Sequence, residues 1–163
     1  MPKPYKPLPT PEELWDLFAL NPLTGELFWQ NIRSSACRPD GLAGSTKASG
    51  YVQLRIKNQL YYAHRIVRAW VDGKDPGNVM LDHKDQNKSN NKPWNIRICC
   101  DSQNKANITT RKGYSFHPTR NKKYQARINF YKKMLHLGYF DTAEEAHTCY
   151  IEAKQRLYGE FAP

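Results

Sequence analysis

The chain reads as an α+β protein, on three observations. Residues 51–56, 124–130 and 134–139 alternate apolar with polar side chains, the signature of half-buried strands. Residues 12–20, 63–71 and the stretch after Thr142 carry apolar residues at helical spacing. Between them, residues 79–107 read as strand, loop, strand and helix in close succession.

Taken in order, residues 1–11 are rich in proline and form an extended arm. A helix over 12–20 follows, with Thr10 as its cap and Pro11 in the first turn, and with Leu14, Trp15, Leu17 and Phe18 on its packed face. Residues 21–25 (Asn-Pro-Leu-Thr-Gly) are a turn, 26–30 a strand, and 34–49, full of Ser, Gly and Ala, a loop. The strand 51–56 turns at Lys57-Asn58-Gln59 and returns over 60–62. The helix 63–71 packs through Ile66, Val67 and Trp70 and stops at Asp72-Gly73. After the basic connector Arg111-Lys112-Gly113, two more alternating runs lead to a last helix. Thr142 and Glu145 form its capping box, and Ala146, Cys149, Tyr150, Ala153 and Leu157 its apolar face. The four tryptophans, Trp15, Trp29, Trp70 and Trp94, read as core.

With 163 residues, 39% of them hydrophobic and 12% aromatic, the chain suits one compact domain or two small ones and is not a disordered chain. We place the boundary at 110, with a scaffold and site domain over 1–110 and a small module over 111–163. The formal charge of +10 makes a polyanion, and so nucleic acid, the leading partner class. No apolar run is long enough to span a bilayer, and the start lacks the apolar core of a signal peptide. The four cysteines, Cys37, Cys99, Cys100 and Cys149, include no C-x-x-C pair, which disfavours a thiolate zinc site and fits reduced thiols in the cytoplasm.

The chemistry is concentrated in residues 79–107. A short apolar strand over 79–81 delivers the pair Asp82-His83. A loop crowded with Asn, Asp and Lys leads to a second strand over 96–100. Asp101 or Ser102 can then cap a helix beginning near Gln103-Asn104. Asp82 and Asn104 are hard oxygen ligands of the kind Mg²⁺ prefers, with Mn²⁺ a possible substitute. Neutral His83 can take a proton from water near neutral pH. The pattern suits metal-assisted phosphodiester hydrolysis.

The run Asp82-His83-Lys84-Asp85-Gln86-Asn87, with Asn90-Asn91, Asn95-Ile96-Arg97 and Gln103-Asn104, resembles the ββα-metal motif of HNH endonucleases, most closely those of phage homing enzymes. His83 lies twelve positions before Asn95, and Asn104 nine positions after it. The resemblance implies His83 as general base, Asp82 and Asn104 as metal ligands, and Asn95 as the residue that orients the base through a loop hydrogen bond. Gln86 stands where relatives often have Gly, and Trp94 where they often have Glu. The segment Ala63-His64-Arg65-Ile66-Val67 resembles one that commonly precedes the motif; His64 itself reads as a structural group.

In the last fifty residues, alternation puts Ala126, Ile128 and Phe130 toward the helix and Gln125, Arg127 and Asn129 outward, with Ser115, His117 and His136 on the same outer face. Arg, Asn and Gln on a sheet that can enter a major groove are natural base readers, and Lys122, Lys123, Lys132 and Lys133 at the turns would hold phosphates. The runs at 112–117, 123–128 and 136–146 resemble the APETALA/ethylene-response-factor type of DNA-binding domain, which implies a three-stranded antiparallel sheet with one helix. Tyr124 stands where that family has Trp or Phe.

The expected function is a Mg²⁺-dependent endonuclease on double-stranded DNA, a homing-type nickase acting as a monomer inside the cell. The alternative is a DNA-binding or regulatory protein without catalysis on a decayed nuclease fold.

Overall fold

The structure, a computed structural model, describes residues 6–31 and 40–163. Cys37, the first residues of the arm and the start of the 34–49 loop lie outside the described residues. The chain divides into two compact units, Met1–Cys99 and Cys100–Pro163; the sequence boundary was drawn later, at 110. The mixture of short helices with antiparallel sheets is α+β, as expected.

In the first unit, α1 spans Pro11–Leu17 and is closed by a full capping box between Thr10 and Glu13. It is shorter than the expected 12–20. Phe18–Asn21 instead forms strand β1, paired antiparallel with β2 (Glu26–Trp29) in a hairpin. The reason is tertiary. Phe18 is fully buried, with its ring centroid 4.5 Å from that of its cross-strand partner Trp29, and pairing outweighs local helical spacing. The turn between the strands follows the sequence: Asn21 Oδ1 accepts hydrogen bonds from the amides of Leu23 and Thr24 at 3.0 and 3.3 Å.

Strands β3 (Ser45–Thr46), β4 (Val52–Ile56) and β5 (Gln59–Tyr62) make a second antiparallel sheet, so the expected 34–49 loop contains a short strand. The β4–β5 turn is two residues, Lys57 and Asn58, both at positive φ, and Gln59 belongs to the strand. Helix α2 (Ala63–Asp72) ends at Gly73 in the left-handed conformation, as its sequence indicates. β6 (Met80–His83) and β7 (Ile96–Cys99) form the hairpin that carries the chemistry, with Pro93–Asn95 as a 3₁₀ turn before β7.

Leu14, Phe18, Leu27, Leu54, Ile56, Ile66, Val67 and Ile96 pack into one core, so every sheet of this unit contributes to it. The tryptophans divide. Trp29 and Trp70 pack on the core, whereas Trp15 is 41% and Trp94 55% exposed, against the expectation for those two. Trp15 is positioned through its rim, with Nε1 donating to Trp70 O at 3.0 Å.

In the second unit, α3 (Asp101–Ala106) begins one residue earlier than an Asp101 cap would allow and two earlier than a Ser102 cap would. Its N-cap is Cys100, whose amide donates to Gln103 Oε1 at 2.8 Å. Strands β8 (Tyr114–Phe116), β9 (Tyr124–Phe130) and β10 (Lys133–Phe140) form an antiparallel sheet in the order β10-β9-β8, and α4 (Ala143–Tyr158) packs across it. The Thr142–Glu145 capping box is present. Ala126 and Ile128 meet the buried face of α4, as alternation requires. That helical face is Ala146, Tyr150, Ala153, Lys154 and Tyr158; Cys149 and Leu157 are half-buried. A lysine in the buried row was not expected.

One glycine ties the first hairpin to the chemistry-bearing loop. Gly25 has φ +76°, and a Cβ placed there would lie 2.1 Å from the carbonyl carbon of Asn91 and 2.3 Å from the amide nitrogen of Lys92. Both obstacles are backbone, so no side-chain rotation relieves them. Gly25→Ala is expected to destabilise the first unit by about 2–3 kcal/mol in urea denaturation. A change within experimental error would show that the close approach is dispensable.

Candidate active site and nucleic-acid face

Asp82 and His83 are the last two residues of β6, opposite Arg97 and Ile96 of β7. Successive strand residues face opposite ways, and the two side chains accordingly find different partners. Asp82 is buried and accepts from Arg97 Nε at 3.2 Å and Nη2 at 3.0 Å, a two-pronged pair between side chains that are both less than a tenth exposed. His83, 4% exposed, lies against Asn91, Tyr51 and His64.

The His83–Asn91 contact fixes the ring. Nε2 lies 3.1 Å from Asn91 Oδ1. A carbonyl oxygen can only accept, so Nε2 carries the proton and the basic lone pair sits on Nδ1. Asn91 is itself buried, in the segment against which Gly25 is pressed.

Asn95 stabilises the same loop from within. Its Nδ2 donates to Asp85 Oδ1 at 2.9 Å and to Asn90 O at 2.7 Å, and its Oδ1 accepts from the Asp85 amide at 3.2 Å. Asn90 Nδ2 donates to the other Asp85 oxygen at 2.6 Å. Burial raises the Asp85 pKa, but the hydrogen bonds from Asn90, Asn95 and the Asn87 amide outweigh it and hold the carboxyl below its ordinary value. Gln86, where relatives often have glycine, adopts φ +63° in the turn just after His83 and Lys84. Asn95 therefore acts on the loop, while the direct contact to His83 is made by Asn91. The Asn-rich spacing was visible in the sequence; which asparagine meets the ring was not.

His64 was read as structural, and its surroundings are close to the site. It is 7% exposed, its ring centroid is 5.1 Å from that of His83, and Tyr51 and Tyr62 flank it at 5.4 Å each. Its Nδ1 is buried without a hydrogen-bond partner. Burial, with the charges of His83 and Arg65 adding, pushes its pKa down to about 3.

The fourth proposed site residue, Asn104, lies on α3 in the second unit. Among the described residues no group of three His, Cys, Asp or Glu side chains is placed to hold a metal ion. The proposed donors are of a different kind, a carboxylate and an amide oxygen.

On the second unit, the sheet brings several outward residues into one hydrogen-bonded row. Ser115 Oγ lies 3.1 Å from His117 Nε2, His117 Nε2 lies 3.0 Å from Gln125 Oε1, and Gln125 Nε2 lies 3.1 Å from His136 Nδ1. Arg127 pairs across the ladder with His136 and is exposed, as is Asn129. Asn129 Oδ1 is engaged locally, accepting from the Lys132 amide at 3.1 Å in the β9–β10 turn. Lys123 and Lys133 are exposed, Lys132 sits in that turn at φ +70°, and Lys122 faces Asp141 at 3.9 Å.

These features define a class: an α+β protein with a buried, oriented histidine beside an aspartate at the end of a β-hairpin. Residues 61–106 match the sequence model of the HNH endonuclease family, so this stretch is similar to a nuclease domain. A curated relative, an uncharacterized HNH endonuclease of Acanthamoeba polyphaga mimivirus, is 31% identical over 109 residues, covering 61% of this chain and 54% of the relative. The chain thus spans about half the length of that protein. No solved structure matches the chain significantly. Among the described residues no helix is long and apolar enough to cross a membrane.

The His64 environment has a pH consequence. Its folded pKa, about 3, lies below the ordinary value of 6.5, so the unfolded chain binds the extra proton first. Above pH 6.5 the protonation of His64 makes no contribution to stability. As pH falls from 6.5 toward 3 it should erode stability, at no more than ~1.4 kcal/mol per pH unit. Urea midpoints measured across that range should fall less steeply for His64→Phe than for the parent; parallel curves would show that His64 is protonated without penalty.

Proposed function

We propose that the chain is a DNA endonuclease in which His83 is the general base, and the observation that carries this is the His83–Asn91 contact within the HNH segment. With Nε2 donating to Asn91 Oδ1, Nδ1 is the ring atom assigned to take a proton from water. The resulting hydroxide oxygen attacks phosphorus, and the P–O bond to one sugar breaks. Asn91 orients the ring, and Asn95 acts one step back, by holding the loop through Asp85 and Asn90.

A divalent cation belongs to this reading. The Asp82 carboxylate is a hard oxygen donor of the kind that would hold Mg²⁺ or Mn²⁺, and the family resemblance implies Asn104, on the second unit, as a further ligand. When bound, the ion would stabilise charge on the phosphate and on the leaving oxygen. Arg97 pairs with the buried Asp82 carboxylate across the β6–β7 ladder.

The substrate is double-stranded DNA, and the second unit supplies the reader. A three-stranded sheet backed by one helix supports the APETALA/ethylene-response-factor likeness. We assign Ser115, His117, Gln125, Arg127 and His136 to base contacts, Asn129 to a turn position at the edge of that face, and Lys122, Lys123, Lys132 and Lys133 to phosphates. One general base per protomer suits one cut per binding event, hence a monomeric, homing-type nickase working inside the cell, in a phage or mobile-element setting.

On supercoiled plasmid carrying a mapped site, the parent should convert circles to open circles before any linear product, and excess chelator should abolish the reaction. His83→Ala should lose about 10²–10⁴-fold in rate. Asn91→Ala should lose less, on the order of tenfold, because the base remains but its tautomer is unguided. Parental rates in His83→Ala, or linear product from the first time point, would overturn this reading.

The reading face is tested separately. Arg127→Ala should lower discrimination between the mapped site and a scrambled one by ~1–3 kcal/mol in binding titrations, while Lys123→Ala should weaken both equally and reduce the salt slope by about one. Unchanged discrimination in Arg127→Ala would move base recognition off this sheet.

A further inference from the structure

The second unit contains an open polar cavity of about 370 Å³ on the helix side of its sheet. Lys105, Arg111, Lys132 and Lys154 line it, against a single acid, Asp101. That acid is already engaged, since Asp101 Oδ2 takes the Lys105 ammonium one helical turn away. The other three cations on the wall have no carboxylate partner among the described residues.

Lys154 is the unusual one. It is 1% exposed, in the buried row of α4 with Tyr150 and Tyr158 one turn to either side. Its ammonium donates to Ile108 O at 3.2 Å, a neutral acceptor. A primary ammonium taken out of water with one carbonyl for company is costly to maintain, and an anion is the group that relieves it. Burial lowers the Lys154 pKa, and the charge of Arg111 lowers it further, so both strains on the amine come from groups that an anion in this cavity would offset.

We propose that this cavity is a binding site for a phosphate oxyanion, held by Lys154, Arg111 and Lys132. Arg111 offers a planar fork of donors matched to phosphate oxygens, and the lysines add point charges. The volume exceeds a bare oxyanion and admits the sugar or ester group attached to it. The phosphate can be a diester of a nucleic-acid strand or a free monoester. Gln125 and Arg127 point to the opposite face of the sheet from Ile128, which lines the cavity, so this site lies away from the base-reading row; Lys132, at the β9–β10 turn, is the one residue it shares with the phosphate contacts assigned above, and Lys154 and Arg111 belong to the cavity alone.

The test is thermal melting of the full chain at fixed pH and ionic strength. Inorganic phosphate, adenosine 5′-monophosphate and dimethyl phosphate each replace chloride in turn. At saturating probe a rise in Tm on the order of 5 °C is expected from at least one of them. A response to the monoesters but not to dimethyl phosphate assigns a free phosphate as the occupant, and a response to dimethyl phosphate assigns a strand backbone. Lys154→Met should abolish the shift and Arg111→Gln reduce it, while His83→Ala should leave it intact. Arg111 is exposed, so its variant keeps the test open if Lys154→Met fails to fold. No shift with any probe, or equal shifts in the parent and Arg111→Gln, would overturn the proposal.

Discussion

The hydrogen bond between His83 Nε2 and Asn91 Oδ1 depends on a loop that must fold back through eight residues to place Asn91 against the strand it left. Asp85 is the internal post for that return. One of its carboxylate oxygens takes Asn95 Nδ2, the other takes Asn90 Nδ2, and the Asn87 amide also donates to it. Gly25, from a different hairpin, closes the loop from outside by backbone contact. Because a polar loop has little apolar surface to bury, its shape rests on these bonds, and most of them involve an ionised acceptor, which strengthens each one.

Around that loop, the first unit resolves a conflict between chemistry and solvation. Asp82 and His83 are both buried, and both stay polar because each has a partner chosen for it. Arg97 stands directly across the β6–β7 ladder from Asp82, so the ladder register itself delivers the counter-charge. His83 is enclosed by side chains from three further segments, at Tyr51, His64 and Asn91. The ion pair gives the buried carboxylate a counter-charge, and the Asn91 carbonyl oxygen gives the buried ring a hydrogen-bond acceptor at Nε2. His64, a few ångströms away, shows the contrast: burial, with the charges of His83 and Arg65 adding, holds its ring neutral, and its Nδ1 has no hydrogen-bond partner.

The second unit uses its two sheet faces differently. Outward residues of β8, β9 and β10 link through Ser115, His117, Gln125 and His136 into a row that orders side chains before any ligand arrives. The inward face packs Ala126 and Ile128 on α4, and beside this small core lies the cationic cavity around Lys154. Charge thus lies on both sides of the sheet, from Arg127 on its outer face and from helix, connector and turn residues around the pocket on the other.

Much of this was legible in the sequence because it is local. Period-two alternation named β4, β9 and β10 and the faces of Arg127 and Ile128. The Thr142–Glu145 and Thr10–Pro11 signals placed two helix starts, and the Asp82-His83 pair with Asn95 named the chemistry-bearing hairpin. What tertiary structure decided is where residues distant along the chain meet. Phe18 joined a strand because Trp29 was there to cover it. Asn91 rather than Asn95 met His83 because loop closure, not spacing, selects the neighbour. His64 came to lie beside His83 through the packing of α2 against other strands. Lys154 fell in a buried row because helical phase is blind to charge. Propensity and periodicity act over a few residues, whereas burial and pairing are set by segments that sequence distance does not rank.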